Sequence, residues 1–227
     1  MNKLSVLQNV KTVFTHPYPH ICIDEALPQS VYDELDSTFP EELICSTTPH
    51  DGGICYRYKA KECAQEAPPA IWQDFFAYHT SPEYFQECAR LFEPHIVEAY
   101  GDEFMHNMLT NSVSVRDVDN PVEIYAGLLY MRPRTDNSTG GNFTIHKTTG
   151  EIKEVNKSLG RQVDNDLHSP VKTVPYNRNT FCMFLNVKDS VHSVSPRLQP
   201  DQRRRSINII GEFNGTGKMW KVKEIKS

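Results

Sequence analysis

The sequence predicts a mainly β protein with flanking helices, an α+β chain whose strands build a sandwich or barrel. Two observations carry this. After about residue 110, short runs rich in β-branched and aromatic residues follow one another, separated by turn residues: 112–118, 124–131, 142–147, 171–174, 180–187, 192–194, 206–213 and 219–225. No helical pattern interleaves them, which argues against a parallel doubly wound sheet. Before that point the apolar spacing is mostly helical. At 227 residues the chain is expected to form a single domain, with 1–109 as a helical N-terminal part and 110–227 as the β core.

Composition bounds the function. Hydrophobic residues make up 38% and charged residues 23%, as in a globular chain rather than a disordered one. The net charge of −5 argues against a general nucleic-acid binder. No stretch reaches the roughly 18 apolar residues of a membrane span, so no membrane partner and a cytoplasmic location are expected. Cys22, Cys45, Cys55, Cys63, Cys88 and Cys182 form no Cys-x-x-Cys pair, and read best as reduced thiols.

Within the N-terminal part, Pro19-His20-Ile21-Cys22-Ile23-Asp24 alternates like a strand. A helix follows Pro28 and ends near Phe39-Pro40. Residues 41–69 read as irregular, with a loop at 49–53. Helices are expected over about 69–79, with Ile71, Trp72, Phe75 and Phe76 on one side, and over about 82–100, with Phe85, Cys88, Ala89, Phe92 and Ile96 as the apolar stripe.

Three groups of residues carry candidate chemistry. Asp117 and Asp119 share a parity, so a strand reaching them projects both carboxylates to one face, where they could hold a divalent ion. The alternative is a solvated acidic turn. His192 lies in a β run behind the apolar strand Phe181-Cys182-Met183-Phe184-Leu185, as a metal ligand or a structural histidine. Arg203-Arg204-Arg205 precedes Ser206-Ile207-Asn208-Ile209-Ile210. An arginine turned inward there could hold a ligand carboxylate through a bidentate pair; one turned outward belongs to a surface charge cluster.

In order and spacing these segments resemble the Fe(II)/2-oxoglutarate-dependent oxygenase superfamily, in its prolyl-4-hydroxylase-like branch. The resemblance runs over about 17–213. It rests on Tyr18-Pro19-His20-Ile21-Cys22-Ile23-Asp24 with Leu27-Pro28, Asp117-Val118-Asp119-Asn120-Pro121, Gly127-Leu128-Leu129-Tyr130-Met131, Gly140-Gly141-Asn142-Phe143, His192, and Arg204-Arg205-Ser206. It implies a double-stranded β-helix, or jelly roll, and a dioxygenase that hydroxylates an unidentified substrate with Fe(II) and the small-molecule cosubstrate 2-oxoglutarate. It implies metal ligands at Asp117, Asp119 and His192, and cosubstrate contacts at Arg204, Tyr130 and Ser206, with Arg205 the second choice for the clamp. Tyr130 reads equally as a core aromatic beside Leu128.

One position departs from the pattern. The family has histidine where this chain has Asp117. Two carboxylates and one imidazole still suit a divalent ion, with preference shifted toward Mn(II) or Mg(II). The competing readings are a degenerate oxygenase fold that binds a small acid or partner without redox chemistry, a sugar-nucleotide transferase whose Asp-Val-Asp holds Mn(II) and a diphosphate, and an oxygenase acting on nucleic acid. The β texture disfavours the transferase, and the acidic balance disfavours the last.

Overall fold

The computed structural model describes residues 2–41, 68–110, 123–150, 165–187, 189–198 and 202–212, and the backbone of 46–50 and 53–57. The architecture is mixed helix and strand, and every described strand pair is antiparallel. The helices are α1 (Gln29–Ser37), α2 (Ala70–His79), α3 (Pro82–Leu91), α4 (Glu93–Tyr100) and α5 (Asp102–Thr110). The strands are β1 (His20–Ile23), β2 (Ser46–His50), β3 (Gly53–Arg57), β4 (Glu123–Tyr130), β5 (Thr139–Gly140), β6 (Phe143–Thr148), β7 (His168–Val174), β8 (Phe181–Leu185), β9 (His192–Val194), β10 (Arg197–Leu198) and β11 (Ser206–Glu212).

Two sheets position the candidate site. One has four strands in the order β1-β8-β4-β11, the other three in the order β7-β6-β9. Two-stranded pairings join β5 to β10 and β2 to β3. Among the described residues these sheets stay open and do not close into a barrel.

Strand alternation sorts the side chains of the four-stranded sheet into two cores. Ile21, Ile23, Tyr125, Leu129, Phe181, Met183, Leu185 and Ile209 pack with the helices, against Leu35, Trp72, Phe75, Phe85, Phe92 and Ile96. Cys182, Phe184 and Tyr130 take the opposite face and pack with Phe143, Ile145, Val174 and Tyr176 of the second sheet and its flank. β8 is buried at every position because it serves both cores. Burying a large apolar side chain stabilises by about 1.5–3 kcal/mol, so these two layers supply most of the drive to fold.

The N-terminal part differs from the sequence reading in three places. The expected helix over 82–100 is two helices, α3 and α4, which meet at Phe92. Pro94 is the cause: it lacks an N–H, and its ring collides with the carbonyl four residues back, so it stands only in the first turn of a new helix. A further helix, α5, follows Gly101, whose φ is 90°. The stretch read as irregular holds the β2–β3 hairpin, and β1 brings the N-terminal part into the main sheet. The runs at 112–118 and 219–225 lie outside the described residues.

Asn179 joins the N-terminal segment to the β core. It sits at a φ of 54°, in the left-handed region that asparagine tolerates better than most residues. Its side chain accepts from the Leu27 N–H at 2.9 Å and donates to the Leu27 carbonyl at 2.8 Å. Its own N–H donates to the Tyr130 carbonyl at 3.1 Å. Asn179→Ala leaves two buried backbone groups unpaired and should cost about 2–4 kcal/mol in urea unfolding; a change below about 0.5 kcal/mol would show that this link is dispensable.

His79 makes folding sensitive to acid. Burial holds its pKa down at about 4, against the opposing pull of the Phe75 carbonyl. The folded pKa lies below the unfolded value of 6.5, so the unfolded chain takes up the proton first as pH falls. The stability is whole above 6.5 and declines between 6.5 and about 4, by up to about 3 kcal/mol. His79→Leu should flatten this part of the profile; an unchanged acid slope in the variant would assign the loss to other groups.

Candidate functional site

The space between the two sheets collects the described candidate residues. His192 enters it from β9. Register pairs His192 with Ile145, so the two share a face. The imidazole stacks on Phe143 with centroids 5.2 Å apart and tilts over Phe184 at 4.5 Å. These neighbours desolvate the ring and lower its pKa, while the Ser190 carbonyl works in the opposite direction. The residue as a whole is nonetheless exposed, because β9 is the edge strand of its sheet.

The tautomer follows from one hydrogen bond. Nδ1 of His192 lies 3.1 Å from the Ser190 carbonyl oxygen. A carbonyl only accepts, so Nδ1 carries the proton and Nε2 keeps its lone pair. A neutral imidazole oriented through one nitrogen by a carbonyl is the arrangement in which histidine ligates metals.

Arg204 and Tyr130 form the second part of the site. The guanidinium lies 4.9 Å from the Tyr130 ring centre and 5.1 Å from that of Tyr176. Nε donates to the Gly141 carbonyl at 3.3 Å and Nη1 to the Ser206 hydroxyl at 3.3 Å. Nη2 and the Tyr130 hydroxyl are buried and make no well-formed hydrogen bond among the described residues; the Arg204 side chain and the Phe143 N–H still lie close enough to the phenol oxygen to pull its pKa down somewhat. Burial drives the Tyr130 phenol pKa well up, Cys182 adds to the rise, and Arg204 offsets part of it. A buried donor or hydroxyl short of a well-formed hydrogen bond costs about 1–3 kcal/mol while unsatisfied.

Arg205 is employed elsewhere. Its Nε donates to Glu41 at 2.7 Å, and its guanidinium stands 4.6 Å from the Phe39 ring. Successive residues aim to opposite sides of an extended chain, so Arg205 braces the helical layer while Arg204 turns toward the gap. Tyr176 keeps that register: its hydroxyl accepts from the Arg205 N–H at 2.8 Å and donates to the Arg205 carbonyl at 3.2 Å. Sequence reasoning missed Tyr176, which carries no motif; its one local signal was a lone aromatic between Pro175 and Asn177.

Gly140 and Gly141 let the chain pass close beneath Arg204. Gly140 has a φ of 83°, and a Cβ there would stand 2.0 Å from the Pro196 carbonyl oxygen. Next to this turn, Arg197 Nη2 bonds Asp136 at 2.8 Å and Arg132 donates to the carbonyls of Asp136 and Ser138. These two arginines are spent on structure.

Asp117 and Asp119 lie outside the described residues, so of the three expected metal ligands His192 is the one whose surroundings are visible. Among the described residues no group of three or more His, Cys, Asp or Glu side chains is placed to hold a metal ion. His146 is a second histidine near the gap. Its Nε2 is 2.8 Å from the Ser193 hydroxyl and its Nδ1 is 2.9 Å from Nδ1 of His168. No helix among the described residues is long and apolar enough to cross a membrane. No protein-family model matches the chain, and no curated protein does.

The surroundings of His192 set a testable protonation state. Proton NMR of the imidazole resonances should give a His192 midpoint below 6.5, the value of an unperturbed histidine. Phe184→Ala, which opens the ring to water, should move the midpoint up toward that value. A His192 that titrates at or above 6.5 in the folded protein would contradict the desolvated, neutral form described above.

Proposed function

We propose that the chain is an Fe(II)/2-oxoglutarate-dependent dioxygenase whose two sheets form the halves of a distorted jelly roll. The observation that carries the reading is a pair of adjacent buried polar groups, Arg204 Nη2 and the Tyr130 hydroxyl, neither of which makes a well-formed hydrogen bond among the described residues. A guanidinium beside a neutral phenol suits one ligand class above others, an anion with two oxygens in a plane. The far carboxylate of a 2-oxo diacid is such a group. Ser206, which pairs in register with Tyr130 and accepts from Arg204, holds the clamp in place.

His192 would supply one ligand to the metal through its free Nε2, with Asp119 and Asp117 as the expected carboxylates. The bound iron supplies the activation of dioxygen. The chain's own residues do the rest. Arg204 and Tyr130 would hold a carboxylate of the cosubstrate, and Phe143 and Phe184 would present their apolar faces to the His192 ring. Asp117 in place of the family's histidine adds a negative charge near a dianionic cosubstrate, and Arg204 offsets that repulsion. The degenerate reading, a carboxylate binder without redox chemistry, is favoured by that same aspartate and shares the clamp.

Calorimetric titration of 2-oxoglutarate in the presence of Mn(II), with succinate production under Fe(II) as a second readout, separates these readings. Arg204→Ala should weaken binding about 30-fold or more, the loss typical of one partner in a charged pair. Arg205→Ala should leave affinity within about threefold, since an ion pair of this half-exposed kind contributes about 1 kcal/mol or less. Asp117→Ala should weaken metal binding, and Asp117→His should raise iron affinity or turnover. Equal 2-oxoglutarate affinity in wild type and Arg204→Ala would overturn the clamp; binding without succinate in wild type would leave the degenerate form.

A further inference from the structure

Two cysteines face each other across the main sheet, for register sets Cys22 of β1 opposite Cys182 of β8. The kind of pair follows from the other edge of β1. His20 exchanges both backbone hydrogen bonds with Phe14, at 2.8 and 2.9 Å. Successive residues of a strand aim their backbone groups to opposite edges. Pro19, Ile21 and Ile23 therefore address β8, and the Pro19 carbonyl does accept from the Leu185 N–H at 2.9 Å. His20 and Cys22 address the far edge. Cys22 and Cys182 thus form a pair without mutual backbone hydrogen bonds, the closer of the two antiparallel kinds, with Cα atoms about 4.5 Å apart. A disulfide accepts Cα separations of about 4.4–6.8 Å.

The two thiols differ in ways that suit a sequential oxidation. Cys22 is half-buried and Cys182 is buried. Burial raises the pKa of both; Lys172 works against that rise at both, more strongly at Cys22, which it also hydrogen-bonds, and Arg204 works against it at Cys182. Lys172 is held there by Phe14, whose ring centre lies 3.8 Å from Nζ and whose ring stacks on His20 at 5.1 Å. A thiolate, not a thiol, attacks peroxide, so the accessible cysteine beside a cation is the one that reacts first.

We propose that Cys22 and Cys182 are a redox modification site, a reversible cross-strand disulfide formed by hydroperoxide, with Cys22 the attacking and Cys182 the resolving residue. The Cys22 thiolate takes one peroxide oxygen; the O–O bond breaks, hydroxide leaves, and Cys22 becomes a sulfenic acid. The Cys182 sulfur then attacks the Cys22 sulfur, the S–O bond breaks, and water leaves with the Cys182 proton. In sum two thiols lose two electrons and two protons, and the peroxide is reduced to two waters. A dithiol reverses the reaction. The site stands apart from the oxygenase reading, although it borders the same gap: Cys182 acts electrostatically on Tyr130, and Arg204 on Cys182.

The test treats the intact native protein with hydrogen peroxide, alkylates the remaining thiols, and maps peptides by mass after cleavage at acidic residues. That cleavage separates Cys22 from Cys45 and Cys55, which a cut at basic residues does not. The expected product is a Cys22–Cys182 linked pair lighter by two hydrogens than its two peptides, and lost on treatment with dithiothreitol. Lys172→Met should slow its formation about 3- to 10-fold at neutral pH and move the pH profile of the rate upward, while a thiol-directed diamide still closes the bond. Cys22→Ser should leave Cys182 reduced and alkylated only after unfolding. Over-oxidation of Cys22 without a link, a native link from Cys22 to another cysteine, or a link that forms only in denaturant would each overturn the proposal.

Discussion

Everything in this protein hangs on a five-residue strand that has no solvent face. Phe181, Met183 and Leu185 of β8 anchor the helical layer, and Cys182 and Phe184 anchor the second sheet. A strand buried on both sides must be apolar throughout, and this one is. Its neighbours follow from it: β1 and β4 pair along its two edges, and β11 extends the sheet beyond β4. The layer on the Phe184 side is bordered by His192, which lies against Phe143 and Phe184, and by Tyr130 with Arg204 over it.

The gap combines two kinds of polar group. The arginines around it are mostly committed: Arg197 and Arg132 to Asp136 and its turn, Arg178 to Asp36, Arg205 to Glu41. Arg204 has a carbonyl and a hydroxyl, and a buried nitrogen that makes no well-formed hydrogen bond among the described residues. Folded proteins rarely retain such a group without a use, since pairing it or replacing it would add stability. The use proposed for it is a ligand anion, with the neighbouring phenol as the second contact.

How much of this was legible in the sequence differs by element. β4, β9 and β11 could be read because their apolar positions alternate or run unbroken between turn residues, and tertiary contacts only reinforce that pattern. The apolar stripe over 82–100 was equally clear, yet the stripe continues across Pro94 while the backbone does not, so periodicity alone merged two helices. The β2–β3 hairpin carries polar residues, a proline and two glycines at its turn, and gave no strand signal. In the site, motif order singled out His192, Tyr130, Arg204 and Ser206. It could not supply Tyr176, Ser190 or Glu41, whose roles depend on residues far away in the chain or on backbone atoms. Asp117 and Asp119, the expected carboxylate ligands, are outside the described part of the structure.

A crystal structure of the protein grown with 2-oxoglutarate and Mn(II) tests the central claim most directly. A carboxylate of the ligand should lie within about 2.7–3.1 Å of both Arg204 Nη2 and the Tyr130 hydroxyl, with its keto acid end toward His192. A ligand bound elsewhere, with those two atoms satisfied by water or by another side chain, would contradict it.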